Sequence, residues 1–235
     1  MLKPWFVKYK FLCFSMAFLS PSMLLPQPGR ITGNQIPITS LDNLAQGRLY
    51  PPFYPSIQGN QYLMPGWVLG EVQIQDKTYP ALPLLYDIFA DELILLQRQE
   101  KTFHLIRLIK EYIPYFYLGD RRFINLDFSQ YKELGLKKGY YEVLFEGKLS
   151  LLVKRTHAIK TEDAITSFQR KDFRFLIRQG QAYRVANKKT FLEAIEETDK
   201  KTIASFMRKE KIRLKKADDQ QWLQLIMYLN TLQLN

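Results

Sequence analysis

"GYYEVLFEGKLSLLVKR", residues 139–155, decides how this chain is built. Before its centre, Tyr141, Val143 and Phe145 alternate with Tyr140, Glu142 and Leu144; after it, Leu149, Leu151 and Val153 alternate with Ser150, Leu152 and Lys154. A period of two gives each segment two distinct faces, which is the geometry of a strand. Glu146-Gly147 reads as a tight two-residue connection, the glycine supplying a positive φ at little steric cost. The stretch predicts an antiparallel hairpin in which Glu142 is the one polar residue without an evident reason, and Glu142 and Glu146 fall on one face.

The same texture extends in both directions. WVLGEVQIQ from Trp67, KTYPALPLLYDIF from Lys77, ELILLQRQ from Glu92, KTFHLIRLI from Lys101 and YFYLGDRRFINLDF from Tyr115 are short β-branched and aromatic runs separated by turn residues. Their spacing predicts successive antiparallel strands in a meander, small barrel or sandwich. Pro80 and Pro83 belong on an edge strand or at a bulge. FRFLIRQGQAYRV, residues 173–185, predicts a second hairpin turning at Gln179-Gly180, and the polar HAIKTEDAITSFQRKD before it reads as a mobile loop.

After Val185 the period becomes helical. Thr190 and Glu193 have the spacing of a capping box, Asp199 can cap a second helix carrying Ile203, Phe206 and Met207 on one face, and Asp218 opens a third with Trp222, Leu225, Ile226 and Leu229 as its buried stripe. Helices this short need a surface to pack on. The expected fold is α+β: an antiparallel β domain over residues 67–186 and a C-terminal helical part of the same domain over 187–235.

Lys3, Lys8 and Lys10 precede an apolar run from Phe11 to Leu19, with Ser20 and Ser22 placed before a cut, which is the layout of a secretory signal peptide over residues 1–22. Cleavage there removes Cys13, the only cysteine, and leaves no thiol or disulfide chemistry. Residues 23–66, which include PPFYP at 51–55, read as an extended proline-rich leader. No later segment is long and apolar enough to span a bilayer as a helix, so the mature chain is expected to carry no transmembrane segment. A periplasmic or envelope-associated location follows.

The formal charge of +11 is unevenly spread: residues 23–131 hold nine Lys/Arg against ten Asp/Glu, and residues 132–235 hold 22 against 13. The expected partners of this basic half are an envelope protein or an anionic envelope surface, with Lys154, Arg155, Lys209, Lys211, Arg213, Lys215 and Lys216 as the candidate contact residues. MRKEKIRLKK, residues 207–216, presents most of them in a stretch that reads as an extended linker. Nucleic acid is not expected for an exported chain, and few aromatic residues are interleaved there for base stacking.

With those residues in view, the chain resembles a family of exported proteins of unknown function from Bacteroidota-type Gram-negative bacteria. The likeness is carried by GNQYLMPGWV at 59–68, LLYDIFADELIL at 84–95, GYYEVLFEGKLSLLVKR at 139–155 and LIMYLN at 225–230. It departs at Asp87 and Leu229, where that family more often has Asn and an aromatic residue. The resemblance implies export and a shared fold, and supplies no catalytic residues.

Chemistry-bearing motifs are sparse. His104 and His157 are the only histidines and are not spaced as metal ligands; no nucleophile elbow, Walker loop or dinucleotide fingerprint occurs. Asp87, Asp91 and Glu92 form a compact acidic group without the glycine and alternating acids of a calcium loop, and a turn between strands accounts for them. No catalytic residue, metal or cofactor is assigned. The reading is a non-enzymatic binding or structural module; the alternatives are an enzyme acting on glycans through carboxylates such as Glu142, Asp87 and Asp91, and an intracellular nucleic-acid-binding protein.

Overall fold

A computed structural model describes residues 47–232 except 52, 53, 55 and 100. The expected signal peptide and most of the leader lie outside the described residues. The chain from Arg48 onward forms thirteen strands: β1 (Arg48–Leu49), β2 (Val68–Ile74), β3 (Lys77–Asp87), β4 (Glu92–Gln99), β5 (Thr102–Arg107), β6 (Tyr115–Leu118), β7 (Arg121–Asn125), β8 (Tyr140–Phe145), β9 (Leu149–Lys154), β10 (His157–Glu162), β11 (Ile165–Arg170), β12 (Phe173–Arg178) and β13 (Gln181–Val185). Three helices follow: α1 (Lys188–Glu193), α2 (Glu197–Lys209) and α3 (Asp219–Leu232).

Eleven strands make one antiparallel sheet in the order β1-β5-β4-β3-β2-β6-β7-β8-β9-β12-β13, and it does not close into a barrel. The fold is α+β, as the change of period after Val185 implies. The order departs from a plain meander where β1 pairs with β5 and not β2, where the chain leaves β5 and returns to the far side of β2, and where β12 follows β9 past the inserted β10 and β11. β3 is an internal strand despite its two prolines; Pro80 and Ala81 together oppose Glu71, a bulge in the β2–β3 register that takes up the missing N–H.

The segment read as a mobile loop is instead the hairpin β10–β11, a separate two-stranded sheet. Asp163 and Ala164 both take positive φ in its two-residue turn, the hand that matches strand twist. Gln58 bridges Ser167 along its edge, and Phe168 packs against Tyr54 and Phe89 at its base. Its polar composition follows from this position: its outer residues, such as Lys160 to Ala164, are exposed.

The sheet is covered on both faces over β8, β9 and β12. On one side Leu149, Leu151 and Leu176 pack with Phe191, Ile203, Met207 and the α3 stripe of Trp222, Leu225, Ile226 and Leu229. On the other, Leu152 and Ile177 pack with Ile124, Tyr131 and Tyr141. Helix starts differ from expectation by a few residues: the capping box uses Asn187 and Thr190, and α2 starts after Glu196 with Asp199 inside its first turn. Asp218 does cap α3, its Oδ1 accepting the Gln221 N–H at 2.8 Å.

In the opening hairpin the turn is not the expected one. Gly147 is not in the positive-φ region; a Cβ there would lie 2.8 Å from Phe145 Cε1 and 2.9 Å from Asn230 Oδ1. The glycine makes room for α3. Asn230, buried at the end of that helix, accepts the Leu149 N–H at 3.2 Å and donates from Nδ2 to the Leu149 and Ile226 carbonyls at 3.3 and 3.0 Å. The last helix is thereby hydrogen-bonded to the hairpin 81 residues earlier in the chain.

Candidate functional site

Glu142 is 3% exposed and is the hub of an ion-pair network. Arg121, from β7, grips it with Nε to Oε1 and Nη2 to Oε2, both at 2.7 Å, the fork geometry that makes such pairs strong. Arg155, just past β9, donates from Nε to the same Oε2 at 2.5 Å. The rest of the Arg155 guanidinium reaches Asp172 Oδ2 at 2.6 Å and Asp219 Oδ2, on the first turn of α3, at 2.6 Å. Arg174 of β12 and Arg170 of β11 complete it, on Asp219 and Asp172. Five strand neighbourhoods and one helix meet in these seven side chains.

Burial alone would lower the Arg155 pKa, but Glu142, and then Asp219 and Asp172, overcome it and hold the guanidinium above its ordinary value. Burial alone would raise the Asp219 carboxyl; hydrogen bonds and charge from Arg155, then Arg174, outweigh it and leave the group below the ordinary 3.8. A carboxyl depressed in the fold contributes stability that is present above its unfolded pKa and is lost as pH falls through the folded one. The urea midpoint is therefore expected to fall more steeply in native protein than in Asp219→Asn between about pH 5 and about pH 3. Parallel slopes would show that Asp219 is not held by the arginines.

Lys154 and Arg155, expected on an exposed anion-binding surface, are instead enclosed: Arg155 is 2% exposed. Lys154 donates to Asp91 Oδ1 at 2.8 Å and to the Tyr140 carbonyl at 3.0 Å, and burial lowers its pKa against the raising effect of Asp91. The reason is the cover on both faces of β9, whose first five residues are all buried.

Asp91 and Asp87 have separate structural duties in the turn between β3 and β4. Asp91, at positive φ, binds Lys154, Lys110 at 2.8 Å and the Tyr86 hydroxyl at 2.6 Å; burial, then Asp91, pushes that phenol well above its ordinary pKa. Gly139 faces this cluster, and an added Cβ would collide with Asp91 Oδ2. Asp87 is fully buried, with Oδ1 accepting the Phe89 and Ala90 N–H groups at 2.9 Å and Oδ2 accepting the Tyr50 hydroxyl. Glu92 turns to Arg107 at 2.9 Å. The acidic group is a turn, as its sequence implies, and its members face different partners.

Glu146 and Glu142 do not share a face. The register shifts between Val143 and Phe145, so Glu146 pairs with Arg122 at 2.7 Å while Glu142 pairs with its neighbour Arg121, and adjacent strand residues point oppositely. Surface grooves among the described residues include one of about 500 Å³ beside Leu69, Glu71, Pro80 and Tyr117 and one of about 550 Å³ beside Arg178, Glu196 and Thr198. Glu142, Asp87 and Asp91 line neither. His104 is a β5 residue near Thr102 Oγ1 at 3.1 Å. His157, read as a loop residue, sits in β10 over Phe168, its pKa lowered by burial and then by Arg170.

Lys209, Lys211, Arg213, Lys215 and Lys216 are all exposed, and among the described residues none pairs with a carboxylate. The tract is not a simple extended linker: α2 continues to Lys209, Lys211 has positive φ, and the Lys216 N–H closes a turn on the Arg213 carbonyl at 2.8 Å. Among the described residues, no helix is long and apolar enough to cross a membrane. Comparison of the chain with protein-family models, curated proteins and solved structures finds no match.

Proposed function

We propose that the chain is an exported, non-enzymatic protein of the cell envelope, periplasmic or envelope-associated, acting as a binding or structural module that contacts another envelope component. The observation that supports this most is the disposition of charge. The carboxylates best placed by sequence for chemistry, Glu142, Asp87 and Asp91, are consumed in ion pairs, caps and buried hydrogen bonds, while the cations of residues 209–216 are exposed and, among the described residues, pair with no carboxylate. An acid 3% exposed, with both oxygens already held by two arginines, presents no open face to a substrate.

Export rests on the basic-then-apolar pattern of residues 1–22, and the resemblance to exported envelope proteins agrees with it. Fractionation of the host together with intact mass of the purified protein tests the reading. A chain beginning near residue 23 in the envelope fraction is the expected result; a full-length chain in the cytosol overturns it. Glycan-cleaving activity that disappears in Glu142→Gln without loss of stability would overturn the non-enzymatic part.

A further inference from the structure

The cations of the α2 terminus and the turn after it form an array that the fold does not neutralise. Arg208 and Lys209 end α2, and Lys211, Arg213, Lys215 and Lys216 follow; all six are exposed. Glu210 is the one acid within residues 208–216, which leaves that stretch at net +5, and among the described residues no acid forms an ion pair with these cations. Glu210 accepts from Gln224, Asp218 caps α3, and Asp219 is held by Arg155 and Arg174. The backbone beneath the cations is pinned: Ile212 and Leu214 are buried between them and Met207 just before them, and the Ile212 N–H closes on the Met207 carbonyl at 2.8 Å. The backbone is thus fixed with the cations outward, so contact has only their side chains left to order.

We propose that this array, Arg208 to Lys216, docks the protein on an anionic phospholipid surface. Three features select a lipid bilayer. All six cations are exposed, and neither the groove beside Leu69 nor that beside Arg178 is lined by them, which suits extended charge over a small anion in a pocket. No aromatic residue falls within residues 208–216, so the tract itself offers no ring on which nucleic-acid bases could stack. The apolar side chains within the tract, Ile212 and Leu214, are buried, so it lacks the apolar anchors on which protein–protein hot spots depend. Attraction of exposed cations to anionic headgroups needs neither. The proposal rests on the envelope reading only for where the protein meets such a bilayer.

The test is co-sedimentation of the protein purified from its host with vesicles of phosphatidylcholine alone and with about one-third phosphatidylglycerol, at low and high salt. Binding is expected on the anionic vesicles only and is expected to vanish at high salt. At about five-fold per cation, the variant with Arg208, Lys209, Lys211, Arg213, Lys215 and Lys216 all changed to Gln should bind at least about 100-fold more weakly. Its urea midpoint should be unchanged, because the replaced groups are exposed and form no ion pair among the described residues. Equal binding to neutral vesicles, equal binding by the variant, displacement by millimolar inorganic phosphate, or tighter binding to duplex DNA at the same salt would each overturn the proposal. Should the variant fold poorly, the salt dependence and the comparison of vesicle types still decide. Absent vesicle binding by a protein found in the envelope sinks the lipid surface alone; vesicle binding by a full-length cytosolic chain sinks the envelope reading alone.

Discussion

Glu142→Ala is expected to destabilise the folded protein by about 3–5 kcal/mol, the cost of breaking a buried ion pair from one side. The carboxylate is 3% exposed and Arg155 is 2% exposed, so the substitution leaves a guanidinium in the interior with one fewer anion and deprives Arg121 of both its short contacts. The result would appear as a lower urea midpoint with an unchanged slope. Glu146→Ala is the control. Arg122 and the carboxylate itself are 37% and 43% exposed, a pair of the kind that contributes about 0–1 kcal/mol. The other donors to Glu146, Gln130 and the Tyr131 hydroxyl, lie at 3.1 and 3.2 Å, and the hydroxyl keeps Ser150 as an acceptor when Glu146 is removed. Equal costs for the two glutamates would mean that the Glu142 network is not closed to water. Glu142→Gln, which keeps the shape and part of the hydrogen bonding, should fall between them.

The network was invisible to periodicity for a definite reason. Arg155 is 13 residues from Glu142 and 64 from Asp219, and alternation along one strand reports its faces without saying what covers each. A strand ending in two cations therefore read as the margin of a basic surface. One signal did point the other way: Leu149 to Val153 is apolar but for Ser150, and a strand without clean polar alternation is one buried on both sides. A cation closing such a run is more readily an internal ion-pair partner than a solvated one. Glu146 was misplaced because the shift between Val143 and Phe145 reverses the faces beyond it, and no residue there announces a bulge.

What could be read was read from local pattern. The Gln179-Gly180 turn, with positive φ at both positions, and the α3 stripe follow from residues adjacent in sequence or one turn apart. The hairpin β10–β11 did not, because its strands carry few apolar residues and lie outside the main sheet. Its register is held by the Asp163-Ala164 turn and by Phe168 at the base, and Ala164 is not a residue that advertises positive φ. The exposed cations of 209–216 were legible because Ile212 and Leu214 alternate with them and take the interior.

Trp222→Ala should cost about 3–5 kcal/mol, as large aromatic truncations in packed cores do. Its ring is 1% exposed, meets Phe191 of α1 edge-on at 5.8 Å, and lies under the Arg174 guanidinium at 5.4 Å. The surrounding core holds residues of α2 and the strand residues Leu149, Leu151 and Leu176, so a cavity there loosens helices and sheet together. The expected signature is a single unfolding transition displaced to lower urea, coincident by far-ultraviolet and near-ultraviolet circular dichroism. Trp222→Phe should cost clearly less, since the indole Nε1 has no hydrogen-bond partner among the described residues. Arg174 also links this ring to the ion-pair network through Asp219, which makes Trp222→Ala and Glu142→Ala non-independent; their combined cost should differ from additive by at least about 0.5 kcal/mol. A separate early helical transition, with the sheet unmoved, would show instead that α1 to α3 are an appendage and that neither Trp222 nor Asn230 ties them to the strands.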